Sequence, residues 1–254
     1  MMDHLTFTRL RFSPLLLLPF LIVSCNEPDE NLQSTYISDE VAFDEGTAEV
    51  WVEVDGNNNP FGIGVILSED FSLSRPDDTL AVDLPWPDEV DPVEPYQMLR
   101  LYFLPDGHSP AGFNVSHIKL RTYLVDEQEF GDLADAGPEV REATPDSAYI
   151  PSGFEKIDRD DNPPIGSQWT NPEQTLTEFN YSYAYGFNEG ELVFLETMIA
   201  SDALDGQPDN RLQIPQPQAF QRSGYYPQIN YVAVSGNTGR NYIGIEELNY
   251  HSAE

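Results

Sequence analysis

The chain has 254 residues, with 44 Asp and Glu against 12 Lys and Arg, and a formal net charge of −32. A field of that sign excludes nucleic acid and anionic membrane surfaces as electrostatic partners, because both are bound through clustered Lys and Arg. Hydrophobic residues make up 40% and aromatic ones 12%, enough for a core, so the acidity does not signal a disordered body.

In chain order the first feature is a targeting segment. Arg9 and Arg11 precede residues 12–23, which are apolar apart from Ser13 and broken by Pro14 and Pro19. A charged start, a short apolar run and small residues at a cut site make a secretory signal. The run is too short and too proline-broken for a transmembrane helix, which takes about 20 apolar residues. Its end, Ile22-Val23-Ser24-Cys25, resembles a bacterial lipobox, in which the cysteine is diacylated and becomes the first residue. Ile22 stands where that motif prefers Leu. Cys25 is the only cysteine, so it has no disulfide partner, and lipid would leave no thiol for catalysis. Two acyl chains suffice for stable anchoring. Glu27, Asp29 and Glu30 follow, similar to the export tags of Bacteroidetes-type surface lipoproteins. The expectation is a signal peptide over 1–24, a flexible acidic tether over 25–42 and a single β domain over 43–254. The lipid on Cys25 would hold it in the bacterial cell envelope, at the outer membrane or cell surface. With Lys119 and Lys156 the only lysines, the acidic body looks adapted to saline solution, where screening removes self-repulsion.

The body reads as strands and turns. Residues 47–55 alternate Ala48, Val50, Val52 and Val54 against Glu49, Trp51 and Glu53, the period of a half-buried strand. Residues 56–60, GNNNP, make a turn and 61–68 the returning strand. Residues 74–95 hold five prolines among many acids and read as a long loop. Strands follow at 96–105 and 117–125, joined by the turn 106–112. A short helix is expected within 126–144, where acids in the first turn of DEQEFGDLA suit the helix dipole. The clearest hairpin is 177–187 and 191–200 around Asn188-Glu189-Gly190, and the last is 225–235 and 240–250. The fold class expected is all-β, an antiparallel sandwich or barrel with long loops and at most one or two short helices.

Chemistry-bearing residues gather in 105–123. His108 lies in a turn, and a strand from 117 to 123 would put His117, Lys119, Arg121 and Tyr123 on one face. Ile118, Leu120 and Leu124 would take the core face, with Thr122 among them. The plain reading is a solvent-facing strand whose bases pair with neighbouring carboxylates, each pair contributing about 0–1 kcal/mol.

The ordered series GTAEVWVEV, FGIGV, LPDGHSPAGFNVSHIKLRTY, PSGFEKI, PPIGSQW, FNYSYAYGFNEGELVFLETM and GYYPQINYVAV covers most of residues 46–248. It resembles a family of secreted bacterial proteins of unknown function, whose named structural relative is a Thermus protein controlled by an extracytoplasmic sigma factor and its anti-sigma factor. The resemblance implies an all-β fold and a tendency to form homo-oligomers. Members often carry Pro-His-x-Asp-x-His where this chain has Ser116-His117-Ile118-Lys119-Leu120-Arg121. They carry Gly-x-His-Trp where it has Gly166-Ser167-Gln168-Trp169, and Glu-Pro-Met where it has Glu196-Thr197-Met198. That pattern implies a zinc-type or copper-type metal set. This chain departs from it: Lys119 replaces the acid, Arg121 the second His and Gln168 the third. The pocket implied comprises His108, His117, Lys119, Arg121, Gln168, Trp169 and Glu196. No metal cofactor is expected, because Arg121 opposite Glu196 would supply the charge as a hydrogen-bonded pair. The alternative is a degenerate metal set of His108, His117 and Glu196.

Other chemistry finds no footing. Nucleophile elbows, phosphate loops, dinucleotide fingerprints and His-Glu-x-x-His helices are absent from the sequence. DRDDN at 158–162 lacks the later Gly and Glu of a calcium loop. The alternating Phe179, Tyr181, Tyr183 and Tyr185 read as a core face ahead of a sugar-stacking platform. The function favoured by the sequence is therefore non-enzymatic: an envelope lipoprotein acting through protein contacts or self-assembly. A small-molecule or metal-binding module and an extracellular carbohydrate binder using exposed Trp51, Trp86 or Trp169 are the alternatives.

Overall fold

The computed structural model describes residues 33–74, 77–135, 143–157, 165–175, 179–204, 210–234 and 238–254. The signal segment, Cys25, the start of the tether, the acid run 158–162 and residues 136–142 of the helical region lie outside the described residues. Two seven-stranded sheets face each other. The first runs β1 (Ser34–Ile37), β3 (Gly46–Val54), β4 (Pro60–Leu67), β15 (Asn241–Glu246), β14 (Ile229–Val234) and β12 (Asn210–Gln213), with β2 (Val41–Phe43) beside β3. The second runs β5 (Leu80–Leu84), β6 (Met98–Leu104), β7 (His117–Tyr123), β11 (Glu191–Ala200), β10 (Tyr181–Asn188), β9 (Ser167–Thr170) and β8 (Glu155–Ile157). A ribbon of β13 (Gly224–Tyr226) and β16 (Asn249–His251) stands apart. Every paired strand is antiparallel, and neither sheet closes on itself, so the fold is an all-β sandwich and not a barrel.

Alternation builds the core. Ala48, Val50, Val52 and Val54 of β3 are buried together with Ile63, Val65 and Leu67 of β4 and Ile243 and Ile245 of β15. From the other sheet the same cluster takes Leu99, Leu101 and Phe103 of β6, Ile118 and Leu120 of β7, and Tyr183 and Tyr185 of β10. Each fully buried valine or leucine contributes about 1.5–3 kcal/mol relative to exposure. On the opposite face of the first sheet Trp51 lies flat over glycines. A Cβ on Gly64 would stand 2.6 Å from its ring, one on Gly244 2.6 Å and one on Gly62 2.8 Å. Only hydrogen leaves room for the indole there.

Turn chemistry closes the hairpins. Between β10 and β11 the loop is the pair Glu189 and Gly190, with φ of 50° and 85°, the two left-handed positions of a type I′ turn. Asn188 is the last strand residue and pairs with Glu191. In the turn after β3, Asp55 Oδ1 accepts from the backbone N–H groups of Asn57 and Asn59, each at 2.8 Å.

The structure departs from the sequence expectation at several points. The segment read as a loop over 74–95 contains β5, an edge strand lying between Pro76 and Pro85, where a strand need not donate on both sides. Residues 34–37 and 41–42, assigned to the tether, belong to β1 and β2, which pair with β3. The last hairpin is split: β14 pairs β15 in the main sheet, while β13 pairs β16 in the ribbon. Pro227 stands at one break and Glu247, with φ of 54°, at the other. Three short α-helices occur among the described residues, α1 (Glu69–Ser74), α2 (Glu127–Asp135) and α3 (Ser201–Leu204), one more than expected. None is long and apolar enough to cross a membrane. α2 begins where Asp126 Oδ1 accepts from Glu129 N–H at 2.8 Å, an N-cap. It packs Phe130 on Tyr123 at 5.3 Å between ring centroids, closing one end of the second sheet's outer face.

Candidate site: a buried polar face on strand β7

β7 has no solvent face. All seven of its residues are buried, with His117 at 0%, Lys119 at 1% and Arg121 at 3% exposure. The solvent-facing strand expected from composition is therefore corrected. The alternation itself is real, and its polar half is buried against the outer side of the sheet.

Register assembles what sequence spacing cannot. Arg121 pairs across to Glu196 of β11 on one side and Arg100 of β6 on the other. Glu196 in turn faces Ala184 of β10, and Gly186 faces Gln168 of β9. The small Ala184 lets Gln168 reach over, so its Nε2 donates to Glu196 Oε1 at 2.7 Å. Arg121 Nε donates to the other oxygen, Glu196 Oε2. Glu196 is 0% exposed. Both its oxygens thus accept from within the protein, one from a cation and one from an amide, which a buried carboxylate requires.

Aromatic rings complete the guanidinium's surroundings. Its central carbon sits 4.4 Å from the Phe194 ring centroid and 5.2 Å from that of Tyr102, inside cation–π range. Arg121 Nη1 donates to Tyr123 Oη at 3.4 Å, and the Tyr123 and Tyr102 hydroxyls meet at 2.9 Å. Burial pushes the Tyr123 phenol well above its ordinary value, with Arg121 pulling the other way. Tyr123 therefore stays neutral. Arg100 makes a separate forked pair with Asp83 of β5, with Nη2 to Oδ2 at 2.7 Å.

The two histidines form a different cluster. His117 Nδ1 donates to the Val115 carbonyl at 2.7 Å, and His108 Nδ1 to the Ser109 carbonyl at 2.6 Å. Their rings meet edge to face at 4.9 Å. Phe113 stacks on His108 at 5.4 Å, and Phe179 meets His117 edge to face at 5.5 Å. Along β11, His117 faces Ala200, while Glu196 lies four residues further on, roughly 13 Å away at strand spacing. Met198 and Lys119 stand between. The alternative metal set of His108, His117 and Glu196 is therefore not gathered. No cluster of three or more His, Cys, Asp or Glu suited to a metal occurs among the described residues. The side chains present do not suit a metal either: Lys119 and Arg121 bring two buried cations to the face that carries Glu196.

Trp169 belongs to neither group. Its alternation partner Gln168 takes the outer face, so Trp169 turns inward, half-buried, and its Nε1 donates to Ser167 Oγ at 3.2 Å. Trp51 is 4% exposed and Trp86 half-buried, so no tryptophan offers the exposed platform a sugar binder of that kind needs. Of the tyrosine run, Tyr183 and Tyr185 lie in the core, as the core-face reading has it, and Phe179 packs on His117. Sequence reasoning placed Tyr123 on the face of Arg121 and missed Tyr102 and Phe194. The strand alternation of 98–104 against 117–123 carried the signal for Tyr102.

Comparison with known proteins returns nothing: no protein family, no curated protein and no solved structure matches this chain.

Proposed function

We propose that this chain is a non-catalytic, lipid-anchored protein of the bacterial cell envelope, a β-sandwich that works through protein contacts on its surface. The observation that carries the reading is the Arg121–Glu196–Gln168 network. At the place where the resembled family would hold a metal, a guanidinium and an amide satisfy both oxygens of the carboxylate in a site closed to solvent. A group paired on every side and buried has nothing to offer a substrate. The polar face of β7 is then internal structure, and function falls to the acidic exterior. The lipobox-like Ile22-Val23-Ser24-Cys25 supports the anchoring half of the reading, with two acyl chains holding the sandwich at the membrane.

The test is metabolic labelling of cells expressing the full chain with an alkyne-bearing palmitate, followed by membrane fractionation and native mass measurement of the detergent-solubilised protein. Label on the wild type, none on Cys25→Ser, and recovery with partner proteins or further copies of itself is the expected pattern. An unlabelled wild type in the soluble fraction, or a labelled protein that migrates alone, contradicts it.

A further inference from the structure

A cavity of about 500 Å³ lies between β1, the start of β4, the ribbon strand β13 and the connection from β5 to β6. Its volume falls in the range of small-molecule sites. The connection lends three acids, Glu89, Asp91 and Glu94, all exposed, and the strands lend Tyr36 of β1 and Tyr225 of β13, both half-buried. Pro60 and Val90, also half-buried, add aliphatic wall. Each of these side chains keeps surface to offer an occupant. The acidic segment is held in place: Tyr225 N–H donates to the Glu94 carbonyl and Tyr96 N–H to the Val93 carbonyl, each at 2.8 Å, while Val93 and Tyr96 are buried in the core. A fixed wall lowers the ordering cost of binding. On the ribbon, the Tyr225 ring meets that of Tyr250 edge to face at 5.4 Å, and Tyr250 is 58% exposed.

The walls select a cation with an apolar body. None of the lining residues is Lys or Arg, and Glu89, Asp91 and Glu94 form no ion pair with a described residue. Three uncompensated carboxylates at one cavity, in a chain at −32, draw positive charge and repel anions. Tyrosine rings attract a cation to their faces, and Pro60 and Val90 favour methylene groups over water. A metal ion is the wrong shape for this arrangement. No group of three acids suited to a metal occurs among the described residues, so the three carboxylates border the cavity without converging on one point. An occupant that matches them carries several charges set apart along an apolar chain. The connection has the same pattern, with acids at 89, 91 and 94 and Val90, Pro92 and Val93 between them.

We infer that this cavity binds an aliphatic polyamine, its ammonium groups paired with Glu89, Asp91 and Glu94 and its methylene runs lying against Tyr36, Tyr225 and Val90. The site is distinct from the β7 network, and it stands whether or not the chain is lipid-anchored or meets a protein partner.

Isothermal titration calorimetry on the detergent-solubilised full chain, with spermidine as the probe at one fixed NaCl concentration, tests it. The expected result is saturable one-to-one binding, weakened tenfold or more when Glu89→Gln, Asp91→Asn and Glu94→Gln are combined, and severalfold in Tyr225→Leu. A matched variant, Glu127→Gln with Asp132→Asn and Asp135→Asn, removes three exposed acids from α2 and leaves binding unchanged. Magnesium, a compact dication, does not displace the probe at equal concentration. Thermal midpoints guard against misfolding: loss of exposed like charges leaves the cavity variant at or above the wild type. If it melts lower, Glu89→Gln alone decides, by weakening binding severalfold or not at all. Absence of saturable binding overturns the proposal. So does an equal loss in the two triple variants, or displacement by magnesium, since either reduces the effect to counterion attraction over the whole acidic surface.

Discussion

Glu196→Gln removes one charge from the centre of the molecule without changing side-chain volume. In the wild type Glu196 accepts from Arg121 Nε and from Gln168 Nε2, and Arg121 is 3% exposed. Lys119, also buried, lies two residues along the same face, roughly 7 Å away. With the carboxylate neutralised the guanidinium is left buried without its counter-charge, and breaking a buried pair from one side costs about 3–5 kcal/mol. At about 2–4 °C per kcal/mol for a domain of this length, the midpoint falls by roughly 6–20 °C. Circular dichroism melts of the full chain, at low and at high salt, read the effect. Because screening scarcely reaches a buried pair, the drop is the same in both. The double replacement Arg121→Met with Glu196→Leu removes both charges together. It is expected to recover most of the loss, falling short of the wild type by about 1–3 kcal/mol because Gln168 Nε2 loses its acceptor. A Glu196→Gln midpoint within 2 °C of the wild type, or a double variant as unstable as the single, refutes the reasoning.

Other expectations follow from the same structure. Melting of the wild type should rise steadily with NaCl, since screening relieves the self-repulsion of a chain at −32; a flat or falling curve contradicts the saline reading. Glu53 has its carboxyl raised by burial, with Arg211 opposing. A raised acid costs stability above its folded value and none below its unfolded one. Glu53→Gln should therefore raise the midpoint at neutral pH, with the gain fading as pH falls through the carboxylate range. Gly64→Ala brings a Cβ to 2.2 Å from the Ile243 carbonyl and 2.6 Å from Trp51. Overpacking of that kind costs about 1–3 kcal/mol, read as a lower urea midpoint with an unchanged slope.

How far the sequence foretells this molecule varies by element. β3, β4, β7 and the β10–β11 hairpin were legible because each carries its own alternation and its own turn residues, Glu189-Gly190 above all. β5 was hidden by its surroundings: Leu80, Val82 and Leu84 alternate properly, but prolines and acids on both sides outweigh five residues. β1 and β2 are shorter still, and their partner β3 supplies the pairing that makes them strands. The Arg121–Glu196 contact spans 75 residues, and only a family resemblance proposed it; nothing local to either strand sets their mutual register. The burial of β7 was illegible for the same reason, since what covers a sheet face is decided by distant chain.

The most direct test of the central claim is the metal content of the full chain, purified in detergent and high salt without chelator, by inductively coupled plasma mass spectrometry. With Arg121 and Gln168 holding Glu196, the expected result is far less than one equivalent of zinc, copper or calcium, and a melting midpoint unmoved by EDTA. One equivalent of a transition metal, lost in His117→Ala, would contradict it. The polar face of β7 would then be a working metal site, and the search for an activity would begin there.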